Sequence, residues 1–396
     1  MKARTVANGV QLLGAVDWDR RLFDALIPLP DGTSYNAYLV QGSQATALLD
    51  TVNPPQAETL LGQLASLTRL DYIVAHHAEQ DHSGTLPLLL AKYPEARVLC
   101  SAKARGMLID LLEVPADRLQ AVADGEKVSL GNKTLEFLHT PWQHWPETIM
   151  SYLPEDRVLF SCDLFGSHLA TSDVFADEER VYEPAKRYFA EIMMPFRNIV
   201  EHNMEKVAGR DVAIIAPSHG PLYRRPRFIQ DAYREWVAGG TKNLVALPYV
   251  SMHDSTRVMV DYLVSALVER GVGVAQFDLT ATDPGKLAIS LVDATTIVLG
   301  TPTVLTGPHP AAAAAAFLIN ALRAKARFLA VIGSYGWGGK TVEVLTAMLG
   351  NLKVETLPAV LAKGLPKAAE YAALDQLADA IASRHAAMAG NGTASA

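Results

Sequence analysis

An apolar strand running straight into AHHAEQDHSGTL (Ala75–Leu86) constrains this chain more than any other feature. The residues before it, DYIVA (Asp71–Ala75), read as a strand. Between 76 and 82 the chain then places three histidines, a glutamate and an aspartate. A solvated loop with a helix cap, for which Ser83 and Thr85 would serve, accounts for a single histidine but not for the whole cluster. On an extended backbone His77, Glu79 and Asp81 alternate to one side while His82 turns the other way. Alternation lets one short segment supply ligands to two adjacent metal ions.

Further candidates stand in matching contexts. HTPWQHWPETIM offers His139 and His144 between two predicted strands, LFSCDLFGSH offers Asp163 with His168 behind it, and IIAPSHGPL offers His219. Ligands gathered at several strand ends are how a layered α/β fold builds a site. The set provides enough imidazoles and carboxylates for two ions that share one carboxylate. Two cysteines, Cys100 and Cys162, are too few for a disulfide scaffold, an iron–sulfur cluster or a Cys-rich zinc knot. Added carboxylate shifts preference from zinc toward harder ions such as iron or manganese. The paired Glu-x-x-His helices of ferritin-like diiron bundles do not occur.

At 396 residues two domains are expected, and 49% hydrophobic with 19% charged residues describes ordinary folded material. A net charge of −7 without a basic stripe argues against nucleic acid as a partner. No apolar run approaches the roughly 20 residues of a membrane helix, and the N-terminus lacks a signal-peptide core, so the expected location is the cytoplasm. In the first half, strands are predicted at Asn36–Gly42, Ala45–Val52 and Val212–Gly220, with helices over Pro54–Leu67 and Pro184–Val207. Hairpins turn at Gly131–Asn132 and Glu155–Asp156. From Leu244 the rhythm becomes strand–loop–helix, with strands at Leu244–Ser251, Val272–Leu279, Thr295–Gly300, Arg327–Gly333 and Lys353–Pro358. That alternation predicts a doubly wound five-stranded parallel sheet. The small, polar AGGTKN places the boundary near Gly239–Asn243, giving domains 1–243 and 244–396, and the tail GNGTASA is expected to fray.

The second half carries a ligand pattern of its own. LVALPYV leads into SMHDSTRVMVDYLVSAL, a hydroxyl-rich turn before a helix in which Ser251, Ser255 and Thr256 can face a phosphate or simply cap the helix. It is neither a Walker loop nor GxGxxG. GTPTVLTGPHP follows the third strand and GSYGWGGKT the fourth, both at strand C-terminal ends. Tyr335 and Trp337 among glycines suit stacking on a flat ring.

The pattern His77-x-Glu79-x-Asp81-His82, then His144, Asp163 and His219, resembles the metallo-β-lactamase superfamily, with Glu79 replacing its second histidine. Together with the three loops of the second half, the whole chain resembles the flavodiiron proteins (A-type flavoproteins). The resemblance implies an N-terminal metallo-β-lactamase-like αββα sandwich followed by a flavodoxin-like doubly wound five-stranded parallel sheet. It implies a non-haem diiron centre in which His77, Glu79 and His144 bind the iron nearer the flavin, Asp81 and His219 the other, and Asp163 bridges. His82 belongs to the same metal set; His76 is a bystander, and His139 and His168 are outer or structural. It further implies FMN, with Ser251, Met252, His253, Asp254, Ser255 and Thr256 as phosphate loop. Thr301, Pro302, Thr303, Val304 and Leu305, then Ser334, Tyr335, Gly336, Trp337 and Gly338, would hold the ring. Val304 and Leu305 stand where many relatives carry an asparagine.

The implied activity is reduction of dioxygen to water, nitric oxide to nitrous oxide, or both. With too few cysteines for a fused rubredoxin and too little length for a fused reductase, the expected electron donor is a separate rubredoxin or flavoprotein reductase. A head-to-tail homodimer, or a dimer of dimers, would set one chain's FMN beside the other's irons. The main alternative is a binuclear zinc hydrolase with an appended flavodoxin-like domain, opposed by Glu79 and the flavin loops.

Overall fold

The strand that carries the ligand cluster, Tyr72–Val74, lies inside a seven-stranded sheet. That computed structural model describes residues 2–392. Across the sheet the order is Arg4–Ala7, Val10–Asp17, Thr33–Gln41, Thr46–Leu49, Tyr72–Val74, Arg97–Cys100 and Leu119–Ala121. A five-stranded sheet follows, ordered Lys127–Ser129, Thr134–His139, Ile149–Leu153, Val158–Cys162 and Ile214–Pro217. Consecutive residues of the first sheet serve two cores. Leu12, Leu49, Val74 and Leu99 pack with Phe137, Ile149 and Phe160 of the second sheet. Leu13, Leu48, Ile73 and Val98 pack on the other face with Leu60, Leu89 and Leu108. Those last three come from helices Ala57–Gln63, Leu86–Lys92 and Ala102–Leu112. Because both faces are covered, these strands are continuously apolar rather than alternating. On the outer side of the other sheet, helices Glu178–Tyr188 and Pro226–Ala238 join through Tyr182 and Trp236, completing an αββα sandwich.

Several elements differ from the sequence expectation. The two N-terminal strands were not anticipated; Gly14 lets the second lie against Thr33–Gln41, since a Cβ there would lie 2.0 Å from the Tyr35 carbonyl oxygen at φ +104°. The helix expected over Pro54–Leu67 is a short turn plus Ala57–Gln63, and it ends where the Gln63 amide bonds the N–H and C=O of Gly14 at 2.8 and 2.9 Å. The long helical stretch begins at Glu178, because Asp177 accepts the N–H groups of Glu179 and Arg180. It passes through a wide turn at Phe189–Met193 and a tight one at Met194–Phe196 before Arg197–Ala208, as Pro195 cannot donate to a regular ladder.

The chain divides into Met1–Ala238 and Gly239–Ala396. The second unit orders its strands Gly273–Asp278, Lys242–Tyr249, Ala294–Val304, Phe328–Tyr335 and Glu355–Thr356, all parallel. This is the 2-1-3-4-5 order of a flavodoxin-like sheet. The edge strand breaks around Pro358 and resumes at Val360–Lys363. The final helix, Ala368–Gly392, takes in the first three residues of the tail expected to fray; residues 393–396 lie outside the described ones.

His385 ties that helix to the sheet, with Nε2 2.7 Å from Thr296 Oγ1 and Nδ1 2.8 Å from Asn243 Oδ1. Burial lowers its pKa below the ordinary 6.5. The unfolded chain therefore takes up this proton more readily than the folded one. The stability is complete above the unfolded value and is lost as pH falls through it toward the depressed native one. His385→Gln is expected to flatten the acid-side loss of stability in denaturation followed between about pH 7 and 5. An unchanged slope would assign that loss to other groups.

Candidate functional site

The backbone leaves the strand at Val74 and is held from both sides, with Asp50 Oδ1 accepting the His76 N–H at 2.9 Å and the His76 carbonyl accepting from Ile149 at 2.9 Å. Glu79 remains extended (φ −61°, ψ 142°), but Gln80–Ser83 closes into one helical turn. The Ser83 hydroxyl lies 2.7 and 2.9 Å from the carbonyls of Ala78 and Glu79 and fastens that turn. The expected alternation through Asp81 is thus incorrect. His77 and Glu79 come from an extended stretch, whereas Asp81 and His82 are neighbours on a helical turn and face a second group of side chains together.

Two groups of side chains result. In the first, Glu79 Oε2 lies 3.0 Å from His77 Nε2 and 3.2 Å from His144 Nε2. Asp163 Oδ2 is 3.7 and 3.5 Å from the same two nitrogens. In the second, Asp81 Oδ2 lies 3.2 Å from His219 Nε2 and Asp81 Oδ1 3.5 Å from His82 Nε2. Asp163 Oδ1 is 3.1 Å from His82 Nε2 and 3.5 Å from His219 Nε2. Each oxygen of Asp163 therefore faces a different group. Metal–ligand bonds of about 2.0–2.2 Å put neighbouring donors roughly 3.0–3.6 Å apart in octahedral or tetrahedral shells, which matches this spacing.

The electrostatics also fit cations. Both oxygens of Asp81 and Oδ2 of Asp163 are buried without a hydrogen-bond partner. Such orphaned carboxylate oxygens are costly unless a cation lies between them. Burial opposes the charge on Asp163, but His82, His144 and His77 outweigh it and hold the carboxyl well below the usual range. Glu79 is likewise held low by His144 and His77 despite burial. Asp24 lies near this carboxylate, its own pKa pushed up to about 6 by burial and by the charge of Glu79.

Neighbouring residues hold these side chains in place. His219 Nδ1 lies 2.7 Å from the Ser34 carbonyl, His77 Nδ1 2.7 Å from Glu147 Oε1, and the Tyr188 hydroxyl donates to Asp163 Oδ1 at 2.8 Å. His76 turns away to Asp50 and Ser151, at 2.8 and 2.7 Å. His139 bonds the Val122 carbonyl at 3.0 Å, and His168 bonds Thr33 at 2.9 Å with its ring 5.2 Å from that of His219. Asp50, His82 and Cys162 also approach one another within 4.8 Å. Burial pushes the Cys162 thiol well above its usual pKa. Glu147, Tyr188 and Asp24 were not singled out in the sequence: each is an ordinary residue of its segment until folding places it.

In the second unit three loops stand at strand C-terminal ends. Asp254 adopts φ +60° before helix Ser255–Glu269, and Ser251 Oγ accepts the Arg257 N–H at 3.3 Å. Thr256 Oγ1 lies 3.1 Å from Ser334 Oγ, joining the first loop to the third. Met252, His253 and Ser255 occupy the same turn. The second segment differs from expectation: the strand runs on through Thr301, Pro302, Thr303 and Val304, then turns at Leu305–Thr306 (φ +48°, +64°) into Gly307–Pro308. Thr301 is spent on backbone, accepting from His309 N–H at 3.1 Å and donating to the Pro302 carbonyl at 2.9 Å. Tyr335 ends the fourth strand, and Gly336, Trp337 and Gly338 follow as a loop. Gly339 lets the last two segments touch, since a Cβ there would lie 2.7 Å from Thr303 Cγ2. Met252, Leu305 and Trp337 are 52%, 88% and 73% exposed, an apolar surface at the tips of all three segments that a flat ring would cover.

An αββα sandwich with two adjoining His/carboxylate groups, followed by a flavodoxin-like unit, is the architecture of the flavodiiron oxidoreductases. Residues 33–220 match the family model described as ODP family beta lactamase. The chain is 33% identical to the nitric oxide reductase of Moorella thermoacetica over 395 residues, covering 96% of this chain and 98% of that protein. The solved structure of rubredoxin oxygen:oxidoreductase from Desulfovibrio gigas superposes with a TM-score of 0.94 at 30% identity, covering 98% of this chain and 99% of that one. The flavodiiron protein of Giardia intestinalis gives a TM-score of 0.92 at 26% identity, covering 98% and 97%. The chain belongs to the flavodiiron protein family. Among the described residues no helix is long and apolar enough to cross a membrane.

Proposed function

We propose that this oxidoreductase reduces dioxygen to water, nitric oxide to nitrous oxide, or both, at a diiron centre supplied with electrons through FMN. The observation that carries the reading is Asp163, whose two oxygens face two separate sets of imidazole and carboxylate donors. His77, Glu79 and His144 would hold one iron, Asp81, His82 and His219 the other, and Asp163 both. When bound, two ferrous ions and reduced FMN supply the four electrons that dioxygen needs, or the two that couple two nitric oxide molecules. Burial of Asp81, His82, Asp163 and His219 keeps bulk water from competing for the ligands. The Tyr188 hydroxyl and the Ser34 carbonyl hold Asp163 and His219 in their orientations. Glu79 at the first position and the flavodoxin-like unit favour redox chemistry over zinc hydrolysis.

FMN would place its phosphate at the turn of Ser251, Met252, His253, Asp254, Ser255 and Thr256, on the N-terminus of a 15-residue helix. Its ring would lie among Thr303, Val304, Leu305 and Trp337, with Thr301, Pro302, Ser334 and Tyr335 forming the strand ends beneath and Gly336 and Gly338 giving close approach. Trp337→Ala is expected to weaken FMN binding about 2- to 12-fold, the worth of one aromatic stack, in a fluorescence titration of flavin-free protein. Unchanged affinity would remove Trp337 from the ring site.

The remaining features of the reading are an external rubredoxin or flavoprotein reductase as donor and a head-to-tail homodimer, or dimer of dimers. In that assembly the loops that would hold one chain's flavin would stand beside the partner's His77, Glu79 and His144. Two buried, unpaired cysteines accord with the cytoplasm. The deciding experiment is anaerobic reduction followed by separate measurement of dioxygen and nitric oxide consumption. Consumption of one or both gases at full iron and FMN loading is expected; a fully loaded protein that consumes neither overturns the reading. A colourless protein containing zinc and no flavin would point to the hydrolase.

A further inference from the structure

One buried anion, Glu147, stands behind the first metal position. Glu147 is buried, and it follows His144 on the loop that precedes strand Ile149–Leu153. A single oxygen, Oε1, accepts both the His77 ring at 2.7 Å and the Ala78 N–H at 2.9 Å. Its other oxygen, Oε2, is buried without a hydrogen-bond partner. The loop itself is pinned: the Glu147 carbonyl accepts from Ser101 Oγ at 2.7 Å, and the Thr148 carbonyl accepts the Thr140 N–H at 3.0 Å. Trp145 packs edge-on against His77 at 4.9 Å, closing the side of the ring.

A carboxylate with so few donors is unfavourable in a dry site unless positive charge is close. The only route to such charge through these bonds is the His77 ring, whose Nε2 faces Glu79 and Asp163. We infer that Glu147 is the positioning residue of the first iron. It holds His77 with Nδ1–H outward and Nε2 free to coordinate, and it makes this imidazole a stronger donor than one bonded to a neutral acceptor. His219, whose Nδ1 faces the Ser34 carbonyl, is the internal contrast. Stronger donation stabilises the ferric over the ferrous state, so Glu147 lowers the reduction potential at the His77 position and makes the two irons unequal.

The inference rests on the diiron reading, and the test separates the two. Iron content, Mössbauer spectra and potentiometric titration are compared for the wild-type holoprotein, Glu147→Gln and Glu147→Ala. Glutamine keeps an acceptor oxygen where both donors converge but removes the charge. The expected Glu147→Gln protein holds two irons and shows a more positive midpoint potential, with the change confined to one iron site in the spectra. Glu147→Ala is expected to bind one iron 10- to 100-fold more weakly, the usual effect of losing such a partner, while glutamine restores binding. A Glu147→Gln protein with wild-type potential and spectra overturns the inference, as does wild-type iron affinity in Glu147→Ala. A wild-type protein that binds no iron overturns the diiron reading itself.

Discussion

Glu79→Ala is expected to lose iron from the first position while FMN stays bound. Glu79 Oε2 stands within 3.2 Å of both His77 Nε2 and His144 Nε2, so its removal takes away the anionic donor common to that pair. The neighbouring imidazoles cannot replace it, because His77 is anchored to Glu147 at its far nitrogen. Loss of an outer partner already costs 10- to 100-fold in metal binding or activity, and a direct ligand should cost about 100-fold or more. The loops proposed for FMN belong to the other unit, Gly239–Ala396. Iron and flavin content, measured on the same sample, check the result. Full iron and activity in this variant would show that the ligand assignment is wrong.

Asp163→Ala is expected to empty both positions. This carboxylate approaches four imidazoles, those of His77, His82, His144 and His219, at 3.1 to 3.7 Å. No other side chain among the described residues reaches both groups with separate oxygens. Without it, each position keeps two imidazoles and one carboxylate but loses the link that sets the distance between ions. Gas consumption should fall to background, with iron near zero and FMN retained. Asp163→Asn separates packing from bridging: it preserves shape but presents only one oxygen, so it too should lose at least one iron. Two irons retained in Asp163→Ala would mean that the ions do not share this residue.

Part of this protein was legible from local pattern. The continuous apolar strands and the strand–helix rhythm after Leu244 arise from neighbours in sequence, and the structure carries both. The strand ends bearing His77, Asp163 and His219 were readable for the same reason. The turn at Gln80–Ser83 was not, because it depends on a Ser83 hydroxyl choosing backbone acceptors over an extended chain. The hairpin at Leu305–Thr306 was hidden likewise, since Thr303 and Val304 find antiparallel partners in Gly307 and Pro308 instead of opening as a loop. Gly14 offered no signal that it admits Tyr35 across two strands.

The chemistry of the ligands is a property of the sequence alone: with two cysteines and a dense His/Glu/Asp segment, any metal here is held by imidazole and carboxylate. Which of these side chains stand together is a property of the tertiary structure. His82 and Asp81 are adjacent in the chain yet join His219, far along it, while His77 and Glu79 join His144. That sorting depends on the order of strands in two packed sheets and on one helical turn. Side-chain identity is local, but the convergence of two oxygens of Asp163 on two groups is set by packing among segments that never meet in sequence.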